Sequence, residues 1–280
     1  MPESGPLLIA VTDLSRIEIE LRTWADALFD GGVDLIHLRA PGVPVHDICR
    51  DAEILLNAAP SPDRVQINEH VDLAAELGCG IHLPEWLPPA RPPLDPASRS
   101  VHSIESAKAS DAFDFVIAGH VFATASKPGL PPRGTDWLRG IVVASRIPVV
   151  AIGGVTSDNA SEVIALGAAG VAVIGALTTS SHPRNAAANL RNAIDSAWRN
   201  RNMQEQSTTI DITLNEKPAT VPEGSTIHDL LATKELAERL VVVELNGVIV
   251  SRSAFGETLF SAGDQVEIVH FVGGGNHVDR

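Results

Sequence analysis

Residues 148–177 read PVVAIGGVTSDNASEVIALGAAGVAVIGAL, and this stretch decides the fold. It begins with an apolar run, Pro148–Gly154, and ends with a second one, Gly170–Leu177. Between them Asp158–Leu166 has the apolar spacing of a helix, and Gly167 follows as a stop signal. Short β-branched runs are typical of parallel strands buried on both faces, so the stretch predicts a strand–helix–strand unit.

The same alternation fills the first 200 or so residues. Six further strand candidates precede this unit: Leu7–Asp13, Leu35–Ala40, Arg64–Glu69, Gly80–Pro84, Ser98–Ser103 and Asp114–Val121. Helical spacing occurs at Ile17–Phe29, Val45–Asn57 and Ala186–Trp198, whereas the five prolines of Glu85–Pro96 predict an irregular connection. Eight such units predict an α/β fold, a (β/α)8 TIM barrel, which we place at residues 1–200.

A different pattern follows the polar segment 199–207, which predicts a helix tail that runs into a linker. The later elements are strands at Thr208–Leu214, Ala219–Val221, Leu240–Leu245 and Gln265–Val272, and a helix at Thr226–Leu236 with Ser225 or Thr226 as N-cap. This order predicts a small α+β domain of the ubiquitin-like β-grasp kind at residues 208–280.

Composition limits the function classes. The formal net charge of −14 argues against a nucleic-acid-binding surface. No run approaches the roughly 18 apolar residues of a membrane span, and the first residues lack the basic region of a secretory signal. Cys49 and Cys79 are too few for a disulfide framework. We therefore expect a cytoplasmic homo-oligomer without membrane or nucleic-acid partners.

The predicted ends of strands 7 and 8 carry glycines. Catalytic groups of TIM barrels lie at the C-terminal strand ends, and phosphates often bind after these two strands. Gly153 and Gly154 end the seventh strand, and Ile174 and Gly175 end the eighth. Glycine lets backbone N–H groups approach an anion closely, so this position predicts a phosphate site, although a lone Gly pair is more often a tight turn.

Histidines end four predicted strands: His37, His82, His102 and His120. A single histidine in a barrel is usually a packed or orienting residue, and we expect this of the first three, with His82 and His102 lining the pocket. Zinc ligation is an alternative for neutral histidines. The sequence contains no His-x-His or His-x-x-x-His pair, however, so we expect no metal.

His120 differs because it precedes a long loop, residues 123–134, rich in Gly, Pro and Lys. Lys127 and Arg133 in this loop are placed to meet an anion. A histidine under such a lid suits general acid–base catalysis near neutral pH. The sequence therefore predicts His120 as the catalytic residue.

Several runs coincide with these strand ends: His37–Arg39, Ile67–Ala74, Gly80–Leu83, Ser100–Ser103, Gly119–Thr124, Lys127–Gly129, Pro132–Gly134 and Ala151–Val155. Together they resemble the thiamine phosphate synthase family of barrels over residues 7–198, and within it most closely the thiazole tautomerase branch, the TenI-type proteins. The specific run is Gly-His-Val-Phe-x-Thr at 119–124, because synthases typically carry Gly-Pro there.

Two departures from the synthases accompany this resemblance. Synthases hold Mg²⁺ with an Asp after the strand-3 Asn and another in a Gly-Gln-x-Asp run, where this sequence has Glu69 and Pro84-Glu85-Trp86. Their Gln-x-Arg-x-Lys run appears here as His37–Pro41. Releasing pyrophosphate needs that metal and charge, whereas a proton shift needs neither.

The resemblance implies a cofactor-free isomerase, a thiazole tautomerase that aromatises carboxythiazole phosphate. His120 would take the ring proton and return one to the exocyclic carbon. The substrate would be bound by Arg39, Lys127, Gly153, Gly154, Ile174 and Gly175. Two alternatives remain: a thiamine phosphate synthase that tolerates Glu69, and a non-catalytic barrel that serves as a scaffold for the second domain.

The second domain carries Val221–Ile227, Val243–Gly247 and Asp264–Gly275, and through them resembles the ThiS-type sulfur carriers of thiazole biosynthesis. The resemblance implies a thiocarboxylate on Gly275, with a carrier-adenylating enzyme and thiazole synthase as partners; the alternative is a plain ubiquitin-like module. Carriers of this family end at Gly-Gly, but here Asn276–Arg280 follows. We therefore expect a protease to remove these residues.

Overall fold

The computed structural model describes residues 5–207, 209–234, 236 and 241–270. The chain divides into two compact units, Met1–Asn200 and Arg201–Arg280, and each is described by itself. Within the described ranges no helix combines the length and the apolar content that crossing a bilayer requires.

The first unit is a closed barrel of eight parallel strands in chain order, with the last strand paired to the first. The strands are β1 (Leu7–Val11), β2 (Leu35–Leu38), β3 (Val65–Asn68), β4 (Gly80–Leu83), β5 (Ala97–Val101), β6 (Phe115–Gly119), β7 (Val149–Ile152) and β8 (Gly170–Val173). The helices are α1 (Leu21–Asp30), α2 (Val45–Ala58), α3 (Val71–Leu77), α4 (Ile104–Lys108), α5 (Thr135–Ala144), α6 (Ala160–Ala165), α7 (Gly175–Thr178) and α8 (Pro183–Ser207). This confirms the predicted TIM barrel, and the connection from β4 to β5, described throughout, contains no helix, as its prolines predicted.

The two faces of each strand pack into different layers. Leu7, Ile9 and Val11 of β1 belong to the cluster inside the barrel, whereas Leu8 and Ala10 pack in the layer between strands and helices. Because side chains alternate along a strand, the residues two and four positions after an inward apolar residue also point inward. This period places polar residues at the open end of the barrel.

Helix α8 is longer than the sequence predicted. Its described backbone continues through Ser207 and therefore covers the segment 199–207 that we expected to become a linker. That segment contains neither Gly nor Pro, and its Arg, Asn, Gln, Met and Glu residues are tolerated within helices. Polarity alone does not end a helix when no breaker is present.

The second unit is a five-stranded mixed sheet with one helix. Its elements are β9 (Thr209–Leu214), β10 (Lys217–Pro222), α9 (Ile227–Thr233), β11 (Val241–Leu245), β12 (Val248–Val250) and β13 (Gln265–His270), with sheet order β10-β9-β13-β11-β12. The central pair, β9 with β13, is parallel, and the other pairs are antiparallel. The predicted β-grasp arrangement is thereby confirmed, and Thr226 caps α9 reciprocally with Asp229.

Candidate functional site

A cavity of about 590 Å³ lies at the C-terminal end of the barrel strands. Residues from the ends of all eight strands line it. The barrel residues predicted for the site are among them, with the exception of Arg133: Arg39, His82, His102, His120, Lys127, Gly153, Gly154, Ile174 and Gly175. The structure thus brings the predicted residues together, while Gly275 and Asn276–Arg280 lie outside the described residues.

His82 lies at the end of a hydrogen-bond chain that rises from the barrel interior. Ser98 Oγ donates to Gln66 Oε1 at 3.0 Å, so its single hydroxyl proton is used there. Ser98 must therefore accept from His82 Nδ1 (2.8 Å), which leaves Nε2 to accept from Ser100 Oγ (2.8 Å). Burial, and then the charges of His37 and Arg39, lower the pKa of His82 well below its ordinary value. His82 is a neutral, fixed wall residue.

His37 packs beside His82, with 4.4 Å between the ring centroids. Neither of its ring nitrogens has a hydrogen-bond partner among the described residues. Burial lowers its pKa to about 4, and the charge of Arg39 acts in the same direction. The neighbouring Asn68 side chain opposes this shift, although it makes no hydrogen bond of normal geometry to the ring. His37 is therefore neutral at physiological pH.

His120 follows β6 and is 7% exposed. Its Nε2 is buried and has no hydrogen-bond partner in the described part of the chain. Buried polar atoms are nearly always paired, so the unpaired Nε2 needs an explanation, and a ligand in the cavity that His120 lines would provide one. The ring is held next to the end of β7, because a Cβ on Gly153 would lie only 2.3 Å from His120 Cβ.

The glycines after β7 are required by close packing, whereas the glycine after β8 is not. Gly153 and Gly154 have φ values of +100° and +70°, and a Cβ on either would meet the 120–123 segment at less than 2.5 Å. Close packing of β6 against β7 therefore explains both glycines without any ligand. Gly175 has no atom within 4 Å of an added Cβ. Its N–H, like that of Gly154, finds no acceptor among the described residues, as an anion cradle needs.

Positive charge gathers on one side of the cavity mouth. Thr12 clamps the backbone of Arg39 by donating to its carbonyl oxygen (3.0 Å) and accepting from its N–H (2.9 Å). Partial burial, and then the charges of Arg133 and Arg39, lower the pKa of the Lys127 ammonium. Three cations that repel one another favour the binding of an anion.

Arg133 does not meet this anion site directly, contrary to the sequence prediction. It is not among the residues that line the cavity. Its guanidinium donates to the His102 carbonyl oxygen (3.0 Å) and lies over the Trp137 ring, 5.1 Å from the centroid. Its backbone N–H donates to the His120 carbonyl oxygen at 3.1 Å. Arg133 thus fixes the end of the loop to both histidine positions.

Glu85 is a site residue that the sequence analysis missed. Its carboxylate binds His102 twice, accepting from the backbone N–H (Oε1, 3.0 Å) and from ring Nδ1 (Oε2, 2.5 Å). Burial alone would raise the pKa of Glu85, but hydrogen-bond donors, His102 among them, keep it below the ordinary value. The sequence did contain a signal: Glu85 comes just after β4, and the next strand of the barrel, β5, is followed by the cavity histidine His102.

The same contacts bear on the magnesium ion that the resemblance implies for the synthases. Both oxygens of Glu85 are taken by His102, and Oε1 of Glu69 accepts from the Asn68 amide. The described residues contain no group of three His, Cys, Asp or Glu side chains placed to hold a metal. At the two carboxylate positions, both oxygens of Glu85 and one oxygen of Glu69 are thus already hydrogen-bonded within the chain.

Comparisons with known proteins place both units. Residues 8–177 match the family described as thiamine monophosphate synthase (TMP-TENI), and residues 207–275 match the ThiS family. The thiamine-phosphate synthase of Chlorobium luteolum is 33% identical over 197 residues, covering 66% of this chain and 92% of that protein. The thiamine-phosphate synthase of Albidiferax ferrireducens is 36% identical over 188 residues, covering 62% and 86%.

A solved structure agrees with these matches. Thiamine phosphate pyrophosphorylase from Pyrococcus furiosus superposes with a TM-score of 0.59 and 29% identity, over 68% of this chain and 96% of that one. Fold, cavity position and sequence therefore lead to the same assignment. The chain belongs to the thiamine monophosphate synthase family of thiamine-biosynthesis enzymes, and it carries a ThiS-family domain after the barrel.

Proposed function

We propose that the barrel is a thiazole tautomerase, which converts the non-aromatic carboxythiazole phosphate tautomer into the aromatic thiazole. The observation that carries this proposal is His120, a buried histidine with an unpaired Nε2 that lines a cavity with cations at its mouth. Aromaticity supplies the driving force, so the enzyme need only lower the barrier to proton transfer. Acid–base catalysis contributes roughly 10²–10⁴-fold to such steps.

In this proposal His120 takes the proton from the ring carbon. The N–H groups of Gly175 and Gly154 have no acceptor in the described part of the chain, which supports a phosphate site with Gly153 and Ile174 around it. Arg39 and Lys127 attract the anionic substrate, which carries a carboxylate and a phosphate, and offset part of its charge. No metal or cofactor takes part in the proposed step.

A thiamine phosphate synthase is the second candidate, and the names of the relatives favour it. That reaction would couple a pyrimidine diphosphate with thiazole phosphate and release pyrophosphate. The side chains at the two carboxylate positions speak against it, because Glu85 is occupied by His102 and Glu69 by Asn68. We therefore place the tautomerase first.

One assay separates these candidates. The purified full chain is given the carboxythiazole phosphate tautomer without added metal, and aromatisation is followed by ultraviolet absorbance. A rate well above buffer supports the tautomerase, and no acceleration contradicts it. In parallel, the chain is given Mg²⁺, pyrimidine diphosphate and thiazole phosphate, and pyrophosphate release is measured; rapid release would establish the synthase instead.

For the second unit we propose a sulfur carrier with its thiocarboxylate on Gly275. The ThiS family match ends at residue 275, and it supports this position. A peptide bond after Gly275 leaves no carboxylate to adenylate, so a protease would first remove Asn276–Arg280. The proposed partners are a carrier-adenylating enzyme and thiazole synthase. Homo-oligomerisation remains a prediction.

Intact mass measurement tests the carrier proposal. Protein from the native organism is expected to lack the residues after Gly275 and, in sulfur-supplied cells, to gain the mass that replaces a carboxylate oxygen with sulfur. Protein that always retains Arg280 contradicts processing. A Gly275→Ala variant serves as a control, because its end should no longer be activated.

A further inference from the structure

His102, a second histidine of the cavity, has hydrogen-bond partners that differ from those of the other cavity histidines. His102 follows β5 and lines the same cavity as His120. Its ring Nδ1 is bound to a carboxylate, whereas Nε2 has no partner among the described residues. About a third of its side chain is exposed. The ring is therefore oriented by one nitrogen and open to a ligand at the other.

The carboxylate that holds this ring is itself held firmly. Arg99 is 4% exposed, and its Nη2 donates to the carbonyl oxygens of Glu85 (2.7 Å) and Leu87 (3.0 Å). Its Nη1 donates to Ser110 Oγ at 3.0 Å. A buried guanidinium thus fixes the backbone of an otherwise irregular segment. The result is a rigid chain from Arg99 through Glu85 to His102.

We propose that His102 is the second acid–base residue of the cavity: its protonated ring gives a proton to the exocyclic carbon of the substrate while His120 takes the ring proton. Glu85 is its positioning residue. The inference rests on the tautomerase proposed above. One C–H bond breaks at the ring carbon and one forms at the exocyclic carbon, without oxidation or reduction. Exchange with water then removes the proton from His120 and restores the one on His102.

The charges around His102 indicate which histidine gives a proton and which one takes a proton. Both oxygens of Glu85 contact His102, so a negative charge lies directly beside the ring that this proposal protonates. The other charged side chain in contact with His102, among the described residues, is Arg133, and it contacts the backbone carbonyl rather than the ring. His120 lies in a buried position, and its Nε2 has no partner among the described residues, so this nitrogen is open to take the ring proton.

The remaining cavity histidines do not compete for this role. Both nitrogens of His82 are bound by serine hydroxyls, so it has no free nitrogen to offer. His37 is fully buried with its pKa lowered to about 4, so it holds no proton near neutral pH. Two proton-transfer groups, one after β5 and one after β6, suit a reaction in which one carbon loses a proton and another carbon gains one.

Variants of the full chain test the assignment. His102→Gln is expected to lower kcat by at least about 100-fold, with the Kd of the aromatic product changed by less than about threefold. Glu85→Gln removes the negative charge from the ring, so the alkaline limb of the pH–rate profile should move to lower pH. A merely structural Glu85 would lower the rate equally at every pH. His46→Gln, an exposed histidine on α2, is the matched control.

An isotope experiment has one outcome that would overturn the role of His102. The substrate carries deuterium at the ring carbon, and the product is examined by mass spectrometry and NMR. Two groups predict that the label is lost to water and never reaches the exocyclic carbon. Transfer of label to that carbon means that one residue carries the proton across, and it overturns the assignment.

The outcomes also separate this inference from the proposed function. Without acceleration by the wild-type chain, the tautomerase and the role of His102 are both overturned. If the wild-type chain is active and His102→Gln keeps its rate, only the role of His102 is overturned. Should His102→Gln fail to fold, as judged by circular dichroism, the pH profile of Glu85→Gln decides: an unmoved alkaline limb contradicts the proposal.

Discussion

The histidines on two adjoining walls of the barrel cavity are held in contrasting ways. On the β2–β4 wall, His37 and His82 are almost fully buried, pack against each other and have pKa values far below the ordinary range. On the β5–β6 wall, His102 is bound by a carboxylate, and His120 keeps an unpaired nitrogen next to the cavity. The residue type is the same, and the surroundings decide the chemistry.

This contrast teaches where proton transfer is possible. A histidine whose pKa is lowered far below neutrality, as in His37 and His82, stays neutral and only shapes the cavity. A histidine with one nitrogen oriented and one available can change its protonation state during a reaction. The β2–β4 wall therefore supplies shape, and the β5–β6 wall supplies the proposed chemistry.

The largest expected effect is on the β5–β6 wall. His120→Gln should lower kcat for aromatisation by about 10²–10⁴-fold while the Kd of the product changes little, because glutamine fills the space but cannot transfer the proton. Steady-state kinetics and calorimetric titration of the product provide the two values. An unchanged rate would remove His120 from the mechanism and with it the contrast between the walls.

The next effect concerns the stability of the β2–β4 wall. Burial lowers the pKa of His37 from 6.5 to about 4, so only the unfolded chain binds a proton between these values. The contribution of His37 to stability should therefore be complete above about pH 6.5 and should fall by up to about 3 kcal/mol as the pH approaches 4. Denaturant unfolding across this range measures it.

His37→Leu sharpens the test, because it removes the titrating ring without breaking a hydrogen bond. Its free energy of unfolding should fall less steeply between pH 6.5 and 4 than that of the wild-type chain. His46→Gln, whose side chain is 81% exposed, should leave the slope unchanged. Equal slopes for His37→Leu and the wild-type chain would show that His37 is not the residue that titrates.

Much of this architecture follows from the sequence, for reasons that the structure makes clear. Apolar runs and glycine stops predicted all eight barrel strands, because a strand buried on both faces leaves a continuous signal. The period of two then placed the strand-end histidines in one cavity. Strand β12 was missed because it has three residues, although Asn246-Gly247 before it is a hairpin signal that the structure uses, with φ values of 50° and 81°.

Other features depend on contacts that no local pattern contains. Glu85 lies in an irregular, proline-rich connection, and Arg99 from β5 fixes its position. Arg133 is in the predicted loop, but its partner is a carbonyl oxygen distant in sequence. Gly153 and Gly154 were predicted for phosphate binding. The structure adds a reason that the sequence does not contain, because a side chain at either position would collide with the 120–123 segment. Long-range contacts of this kind become visible only in the folded chain.

Gly153 allows a smaller but sharply controlled test of the β5–β6 wall. Gly153→Ala places a Cβ at 2.3 Å from His120 Cβ, so His120 must move, and we expect about 2 kcal/mol of destabilisation beyond backbone strain, with reduced turnover. Gly42→Ala is the matched control, since Gly42 also has a positive φ (+74°) but no atom within 4 Å of an added Cβ. Gly42→Ala should lower the free energy of unfolding only by the backbone strain, about 1–2 kcal/mol. Equal unfolding free energies and rates for the two variants would contradict the packing role.

The smallest expected effect is on the cations at the mouth. Arg39→Ala and Lys127→Ala should each weaken binding of the thiazole phosphate product by about tenfold, or about 1.4 kcal/mol, and more so at low salt. The charges of Arg39 and Arg133 already lower the pKa of Lys127, so the cations act on one region of space. The double variant should therefore lose more than the sum of the single losses.

The measurement is a titration of the product into the wild-type chain, the two single variants and the double variant, each at two salt concentrations. Removing Arg39 relieves the repulsion on Lys127, and the remaining cation then binds the same anionic group more effectively. Strictly additive losses would mean that the two cations serve different ends of the ligand, one its phosphate and the other its carboxylate. Binding that is independent of salt would mean that the mouth attracts no anion, and the shape of the β2–β4 wall would then account for binding alone.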